Sequence, residues 1–285
     1  MQESFHSFCN LIAYLYCISP LHILKRTASL FLVYKRRKNI SQKSNKENNE
    51  QKSTSHIPNN EQRDTIRKIS DCIDGKIDLK PMVIHGVTGS GKTTIYLFTI
   101  IKIIQAGKSV VFLTPDITLA KHFSSLLSHY PDIVIPVITI HSHCAAHEKH
   151  KIVEHMHTNA PCIVVGVHLP VFLPLSTIGL YIIDEEHDEG YSEKQQPFFN
   201  TKELLLLKAQ QEKIPIILAS ATPSIYTLYN CSVGKYYLFT LENRYFKTNL
   251  PTIVHVVLTP KKNDSFFWLS PELEHAITKT LANNQ

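Results

Sequence analysis

The sequence predicts an α/β protein with a doubly wound, mostly parallel β-sheet. Beyond about residue 57, short apolar runs rich in β-branched residues alternate with longer segments of helical pattern. The runs are apolar nearly throughout, as expected for strands that are buried on both faces. A glycine-rich loop joins the first run to the helical segment that follows it. This succession of elements is typical of a parallel sheet covered by helices on both sides.

Six strands and five helices are predicted from these patterns. The predicted strands lie at 81–85, 110–115, 133–141, 162–167, 180–184 and 214–220. The predicted helices lie at 62–74, 92–106, 119–129, 145–156 and 201–211.

The basic charge of the chain is concentrated in its N-terminal part. The 285 residues carry a formal net charge of +6, and residues 1–55 alone hold nine basic and three acidic side chains. Such a surplus attracts the phosphates of nucleic acids or lipids, and it equally fits a solvated linker. The polar tract within 39–56 has too few apolar residues to bury a face, so we predict a linker there.

Cysteine spacing and hydropathy indicate the cellular setting. The six cysteines include no CxxC pair, which argues against a disulfide scaffold or a cysteine-rich zinc site and fits a reducing cytoplasm. The apolar stretches at 8–16 and 28–34 are separated by charged residues, and each is shorter than the roughly 18 residues that a spanning helix needs. We therefore predict a cytoplasmic protein that does not use a membrane.

Residues 86–93 read GVTGSGKT and form a complete phosphate-loop motif. A predicted strand precedes the motif and a predicted helix follows it, which is the context that the motif requires. Glycines let the backbone approach phosphates closely, and successive N–H groups at a helix N-terminus form a cradle for anions. Lys92 is expected to reach the terminal phosphates and Thr93 to bind Mg²⁺. The predicted nucleotide-binding residues of the loop are Gly86, Val87, Thr88, Gly89, Ser90, Gly91, Lys92 and Thr93.

An acidic box follows another apolar run, in the sequence GLYIIDEEHD at 179–188. A buried strand delivers such residues to the C-terminal edge of an open α/β sheet, where ligands bind. We expect Asp184 to hold Mg²⁺ and Glu185 to polarise the hydrolytic water, so the predicted catalytic set is Lys92, Asp184 and Glu185. His187 would lie at the edge of the site and relay between ATP and another segment.

A third motif, Ser220-Ala221-Thr222, ends the run at 214–220. The ordered trio GKT, DEEH and SAT resembles helicase superfamily 2, in which S-A-T links the state of ATP to lobe movement. The spellings DEEHDEGY and ASATPS, with FNTKEL at 199–204, narrow the resemblance to the PriA family (primosomal protein N-prime) of replication-restart DNA helicases. The resemblance covers about residues 57–285 and implies a RecA-like P-loop NTPase lobe.

The resemblance implies a 3′-to-5′ DNA helicase or translocase that uses ATP and Mg²⁺ in replication restart and primosome assembly. The implied partners are single-stranded and forked DNA, primosome proteins and single-strand-binding proteins. Gln62 matches the glutamine with which the family reads adenine. Two of the aromatic residues, Tyr191 and Phe199, fit a packed loop as well as base stacking. The residues implied in coupling or DNA contact are His187, Ser220, Ala221, Thr222, Tyr191, Phe199 and Lys202.

The resemblance also implies a domain division and shows departures. We expect a basic remnant of a DNA-binding region at 1–38, the linker at 39–56, the ATP-binding lobe at 57–242, and at 243–285 a connection toward an absent second lobe. Where the family grips the DNA backbone with G-T-R-S-A, this chain reads GVHLP, with His168 at the arginine position. Phosphate contact there is in doubt, and hydrolysis by this chain alone stays open.

The histidine-rich segment 141–157 is the one candidate for a transition-metal site. His143, Cys144 and His147 have spacings that place them on one helix face, which could bind zinc. The family has a polar helix without metal here, and the sequence favours a solvated helix face over zinc.

Three functions compete at this stage. The first is an ATP-driven DNA motor, in this chain or completed by another. The second is a non-catalytic ATP- and DNA-binding module, favoured by the missing second lobe and by His168. The third is a P-loop kinase or an unrelated NTPase, which the acidic box and S-A-T make the weakest of the three. A kinase would also need an acceptor pocket, and the sequence shows none.

Overall fold

The computed structural model describes residues 2–25, 57–141, 144, 146–245, 253–258 and 269–282. The chain divides into two compact units, Met1–Phe246 and Lys247–Gln285. The sheet and the three sequence motifs belong to the first unit. The α-helices whose bounds lie within the described residues are α1 (Gln2–Leu15), α2 (Asn60–Ile73), α3 (Lys92–Gln105), α4 (Ile117–Ser128), α5 (Ala146–Thr158), α6 (Thr201–Glu212), α7 (Ile225–Ser232) and, in the second unit, α8 (Pro271–Ala282). Residues 20–25 are also helical.

A seven-stranded sheet forms the centre of the first unit. Its strands are β1 (Met82–Gly86), β2 (Ser109–Leu113), β3 (Val137–Ile140), β4 (Ile163–Gly166), β5 (Ile178–Ile183), β6 (Ile216–Ser220) and β7 (Tyr237–Leu241). They pair in the order β3-β4-β2-β5-β6-β1-β7, and every pair is parallel. The predicted fold class, a doubly wound parallel α/β sheet of the P-loop NTPase kind, is confirmed.

Both faces of the sheet are buried. On one face, α2, α3 and α4 contribute apolar side chains such as Ile69, Ile100 and Phe123 to one core cluster. On the other face, α1 and α6 contribute Phe8, Ile12 and Leu205 to a second cluster. Apolar strand residues of alternating orientation feed the two clusters, and this explains why the central strands read as unbroken apolar runs.

One predicted strand was wrong in extent, and one strand was not predicted. The strand predicted at 133–141 is shortened to Val137–Ile140, because Pro136 has no N–H to donate to a ladder and residues 131–132 form a turn. The edge strand β7 was not predicted at all. Its side chains alternate between partly exposed and buried, so it lacks the continuous apolar run that identified the central strands.

The N-terminal helix α1 packs on the sheet through α6. Phe8 and Ile12 of α1 are fully buried in the same cluster as strand residues of the sheet. The side chain of Gln211 in α6 donates a hydrogen bond to the hydroxyl of Ser7 at 2.8 Å. The division of the chain at residues 38 and 56 falls outside the described residues and stays a prediction.

Among the described residues, none of the helices is both long and apolar enough to cross a membrane.

Candidate nucleotide-binding site

The phosphate loop, the acidic box and the S-A-T motif meet at one edge of the sheet. Strands β5, β6 and β1 are neighbours and run in the same direction, so the residues that follow them emerge at the same edge. The acidic box follows β5, the S-A-T motif ends β6, and the phosphate loop follows β1. Parallel topology therefore brings together three motifs that are far apart in the chain.

The phosphate loop has the backbone of an anion cradle. Gly89 and Gly91 have φ values of +80° and +83°, which glycine adopts without steric penalty. Helix α3 begins at Lys92, and its N-cap Gly91 provides no side-chain hydrogen bond to the first turn. The N–H of Thr94 donates to the carbonyl of Gly91 at 3.0 Å. No side chain caps the start of α3, which makes this helix end suited to an anion.

The side chain of Gln62 forms a hydrogen bond between α2 and the phosphate loop. The side chain is fully buried, and its Nε2 donates to the carbonyl of Ser90 at 2.9 Å. Its Oε1 accepts from the backbone N–H of Asn59 at 2.9 Å, and the side chain of Asn59 accepts from the N–H of Gln62 in return. This reciprocal pair is a capping box for α2. The side-chain amide of Gln62 is therefore hydrogen-bonded within the protein, and adenine recognition by Gln62 stays a prediction.

Lys92 lies between the phosphate loop and the acidic box. Its ammonium donates to the carbonyl of Gly86 at 3.1 Å and forms an ion pair with Glu185 at 3.5 Å. Lys92 and Glu185, which are both predicted catalytic residues, therefore contact each other beside the phosphate loop. Glu185 also has a φ of +45°. This conformation is energetically unfavourable for residues other than glycine and is found at functional sites.

Asp184 is the half-buried carboxylate that Tyr96 contacts. Its Oδ1 accepts from the hydroxyl of Tyr96 at 2.8 Å and from the N–H of Glu185 at 3.1 Å. Burial raises the pKa of Asp184, and the hydrogen bond from Tyr96 lowers it by a smaller amount. Tyr96 and its hydrogen bond were not foreseen, although its place one turn into α3 could have indicated a side chain that reaches the acidic box.

A cavity of about 320 Å³ joins these residues. The rim includes Tyr245, whose N–H donates to the carbonyl of Gly89 at 2.8 Å and whose hydroxyl donates to the carbonyl of Ile57 at 2.9 Å. No sequence motif marked Tyr245, because it reaches the loop from a segment after β7. The residues that line the cavity are Val87, Thr88, Gly89, Ser90, Gly91, Lys92, Thr93, Thr94, Tyr96, Asp184, Glu185 and Tyr245.

The residues present fit a nucleotide phosphate with a divalent metal. Ser90 belongs to the phosphate loop. Its hydroxyl is buried and, within the described part of the chain, lacks a hydrogen-bond partner. Open helix-end N–H groups and Lys92 supply positive potential, while the Thr93 hydroxyl and the Asp184 carboxylate supply hard oxygen ligands. These donors suit phosphate oxygens and a divalent cation that prefers oxygen ligands.

His187 contacts the S-A-T motif. Its Nδ1 lies 2.7 Å from the hydroxyl oxygen of Ser220 and 3.6 Å from Glu185. The same hydroxyl oxygen accepts from the N–H of Thr222 at 2.9 Å. The structure therefore brings His187, Ser220 and Thr222 together beside the cavity, with Ala221 between the last two, and their coupling role stays a prediction.

Glu186 is a member of the acidic box that sequence reasoning did not assign. It is 1% exposed, and its carboxylate accepts from Lys202, Ser224 and Thr227. Lys202, predicted in coupling or DNA contact, therefore faces Glu186 instead of open solvent. Its place between Glu185 and His187 could have marked Glu186 as part of the site. The direction of its side chain, however, depends on the backbone turn at Glu185.

Two aromatic residues predicted in stacking or coupling are buried. Tyr191 is 1% exposed and Phe199 is 0% exposed, so neither ring offers a face to a base in this structure, and the packed-loop alternative describes both. Phe199 lies edge-on to Tyr16, with ring centroids 4.8 Å apart. His168, at the position where the resemblance implies an arginine, lies 3.2 Å from the hydroxyl of Thr201.

The zinc hypothesis concerns side chains that lie mostly outside the described residues. The side chains of His143 and His147 belong to that part, while Cys144 is buried. Within the described residues, no group of three or more His, Cys, Asp or Glu side chains is arranged to hold a metal.

Sequence comparison identifies a family. The sequence model of the family described as DEAD/DEAH box helicase matches residues 59–230, which is more than half of the chain. The matched range includes all three motifs that surround the cavity.

Several curated relatives carry the name replication restart protein PriA. The protein of Rickettsia felis is 35% identical over 207 residues, which are 72% of this chain and 32% of that protein. The protein of Bacillus subtilis is 30% identical over 236 residues, 82% of this chain and 29% of that protein. These matches confirm the resemblance inferred from the motifs. The chain spans about a third of the length of the curated relatives it matches.

A solved structure supports the fold. The structure of RecG bound to a three-way DNA junction matches with a TM-score of 0.50 and 23% identity, over 67% of this chain and 24% of that chain. Likeness at this level of identity concerns the fold alone.

Proposed function

The chain belongs to the DEAD/DEAH box helicase family, and we propose that it is the ATP-binding lobe of a DNA helicase of the PriA type. The proposed activity is ATP-driven 3′-to-5′ translocation on DNA during replication restart and primosome assembly. Its partners would be single-stranded and forked DNA, with primosome and single-strand-binding proteins. With six cysteines free, we assign it to the reducing cytoplasm.

One observation carries the proposal. Lys92 and Glu185 approach to 3.5 Å, and both line one cavity with Asp184 and the phosphate loop. A phosphate that enters this cavity meets the open end of α3 and the Lys92 ammonium, and Glu185 is positioned to orient a water near it. The proposed division of roles follows from the contacts, since Glu185 faces Lys92 at 3.5 Å, whereas Asp184 accepts from the hydroxyl of Tyr96 at 2.8 Å.

The family implies ATP with a divalent metal, and we propose that the metal is Mg²⁺. The Thr93 hydroxyl and the Asp184 carboxylate would hold it, because hard oxygen ligands suit this ion. When bound, Mg²⁺ neutralises phosphate charge and favours attack on the terminal phosphorus. Tyr96 keeps Asp184 oriented through its 2.8 Å hydrogen bond.

The test is ATP hydrolysis by the full chain with Mg²⁺, in the presence and absence of single-stranded DNA. We expect hydrolysis that DNA stimulates. Lys92→Ala should weaken ATP binding by at least about 10-fold, because a hydrogen-bonded contact to a charged phosphate contributes about 1.5–3 kcal/mol. Lys68→Met, at an exposed position of α2, is the matched control and should bind ATP normally.

The same assay separates the alternative function. The histidine at 168, in place of the arginine that the resemblance implies, favours a non-catalytic ATP- and DNA-binding module. Binding of ATP and DNA without turnover would identify that module. Failure of the folded chain to bind ATP with Mg²⁺ would show that the proposed function is wrong.

A further inference from the structure

The side chain of Tyr245 forms part of the wall of the nucleotide cavity. It lines this cavity together with the phosphate loop and Asp184. It also lies against Gly91, since a Cβ on that glycine would stand 3.6 Å from the Cβ of Tyr245. The phosphate loop, Lys92 and Asp184 provide contacts for phosphates and a metal. A nucleotide also carries a base, whose planar faces are held by aromatic rings.

Hydrogen bonds hold Tyr245 at both ends. Its backbone N–H donates to the carbonyl of Gly89 in the phosphate loop at 2.8 Å, and its hydroxyl donates to the carbonyl of Ile57 at 2.9 Å. Two residues earlier, Asn243 donates to the carboxylate of Glu61 in α2, from its backbone N–H at 3.4 Å and from its side-chain amide. The ring is therefore positioned beside the cavity before a ligand binds, which reduces the entropy lost on binding.

Tyr245 is the aromatic residue of the cavity wall that a base can reach. Among the described residues, the aromatic ones that line the cavity are Tyr96 and Tyr245. Tyr96 is 1% exposed, and its hydroxyl is engaged by the carboxylate of Asp184. Tyr245 is partly exposed. A base that enters the cavity therefore meets the ring of Tyr245.

Stacking on a ring has its own selectivity. It depends on the area of the base and not on the polar groups at the edge of the base. The two-ring purines therefore gain more from one aromatic partner than the one-ring pyrimidines. This selectivity is separable from adenine recognition by Gln62, which would act on the edge of the base.

We propose that Tyr245 is a nucleotide-binding residue whose ring stacks on the base, so that the site prefers purine to pyrimidine nucleoside triphosphates. The inference rests on the proposed function and names the substrate class of the same site. A Tyr245 with only a structural role would instead hold the phosphate loop in place, and its loss would weaken every ligand of that loop alike, with or without a base.

The experiment compares ligands with and without a base, bound to the full chain with Mg²⁺. Isothermal titration calorimetry measures the dissociation constants of a non-hydrolysable ATP analogue, of the matching CTP analogue and of tripolyphosphate, which carries no base. Tyr245→Leu should weaken binding of the ATP analogue about 5- to 150-fold, the range expected for loss of one base–aromatic stack. The affinity for tripolyphosphate should stay unchanged, and the preference for the ATP analogue over the CTP analogue should fall toward one.

Three further variants separate the ring from the other contacts. Tyr245→Phe keeps the ring but removes the hydroxyl that donates to Ile57, and it should retain the affinity for the ATP analogue within about threefold. Asn243→Ala removes the side-chain contact to Glu61 and leaves the ring in place, so it should behave like Tyr245→Phe. Lys92→Ala should weaken the ATP analogue and tripolyphosphate together, because it removes a contact to phosphate.

Unchanged affinity for the ATP analogue in folded Tyr245→Leu overturns the proposal, as does a wild-type protein that binds the ATP and CTP analogues equally. An equal loss for the ATP analogue and tripolyphosphate would leave only a structural role and would also overturn it. If tripolyphosphate binds too weakly to measure, the two nucleotides decide, since a distorted loop weakens both by the same factor. Failure of wild type to bind either nucleotide instead rejects the proposed function, and this is visible without any variant.

A spectroscopic measurement covers the case in which Tyr245→Leu does not fold. The chain has one tryptophan, Trp268, so Tyr245→Trp in a Trp268→Phe background places a single indole at the cavity wall. Stacking on the base should quench its fluorescence when the ATP analogue binds, whereas tripolyphosphate should leave the fluorescence unchanged. Equal quenching by both ligands, or quenching by neither, overturns the proposal.

Discussion

At the scale of single residues, Asp184 is a site carboxylate whose burial lowers the stability of the folded protein. Burial raises the pKa of its carboxyl, and the hydroxyl of Tyr96 and the N–H of Glu185 compensate only in part. A carboxyl whose folded pKa is raised stabilises the fold below its ordinary pKa, and this contribution is lost as pH rises through the folded pKa. At neutral pH the ionised Asp184 therefore opposes folding until a cation joins it.

Asp184→Asn should raise the thermal midpoint of the ligand-free protein at pH 7. Asparagine can keep an acceptor oxygen for Tyr96, but it carries no buried charge. The gain should shrink as pH falls toward the ordinary aspartate value of 3.8, where the wild-type carboxyl is protonated. Calorimetry between pH 4 and 8 measures both effects, and the same variant should lose metal-dependent ATP binding. A midpoint below that of wild type at pH 7 would contradict this account of Asp184.

At the scale of elements, the start of α2 and the phosphate loop form one unit. Gln62 caps α2 through Asn59 and at the same time donates to the carbonyl of Ser90. A side chain at Gly91 would collide with the Gln62 amide, so the close approach depends on glycine there. Helix capping and loop geometry are therefore coupled through a single amide.

Gln62→Ala and Asn59→Ala separate these two contributions. Both should lower the free energy of unfolding by about 1 kcal/mol through loss of the capping box, and denaturant titration measures this. Only Gln62→Ala should also weaken nucleotide binding, because only it releases the carbonyl of Ser90.

A comparison of ATP with GTP then identifies the role of Gln62. Equal loss of affinity for the two nucleotides in Gln62→Ala indicates that Gln62 positions the loop. A loss confined to ATP would support the adenine-reading role inferred from the family resemblance.

At the scale of the whole first unit, the N-terminal helix belongs to the fold of the sheet. Phe8 is fully buried in the cluster that also holds Val83 of β1 and Val111 of β2. The ammonium of Lys208, itself 1% exposed, lies 5.4 Å from the centroid of the Phe8 ring. Its Nζ donates to the carbonyls of Val171 and Leu173 at 3.0 and 2.9 Å. Helix α1 therefore shields a buried cation that α6 contributes.

Phe8→Ala should lower the free energy of unfolding by about 3–5 kcal/mol, the range found when a buried aromatic ring is deleted. The loss should appear in the same cooperative transition that reports on the sheet, measured by circular dichroism and by fluorescence. Leu15→Ala, at a position that is 54% exposed, is the control and should change the value by less than about 0.5 kcal/mol. An unchanged transition in Phe8→Ala would show that α1 folds apart from the sheet.

The sequence alone determined the fold class and which motifs meet at one edge of the sheet. Continuous apolar runs identify strands buried on both faces, and the phosphate loop, the acidic box and S-A-T each follow such a run. Residues after parallel strands must emerge at one edge, so the meeting of Lys92 with Glu185 was predictable. The edge strand β7 was missed because only one of its faces is buried, and an alternating pattern over five residues is a weak signal.

Only the tertiary structure decided which partner each of three adjacent carboxylates contacts. Asp184, Glu185 and Glu186 are adjacent carboxylates in the sequence, yet one is enclosed beside Tyr96, one faces Lys92 and one faces Lys202. The positive φ at Glu185 and the helices packed around the strand end set these directions. Periodicity and motifs describe contacts that are local or imposed by topology. The directions and partners of individual side chains depend on packing between segments far apart in the chain, which a single sequence does not encode in any local pattern.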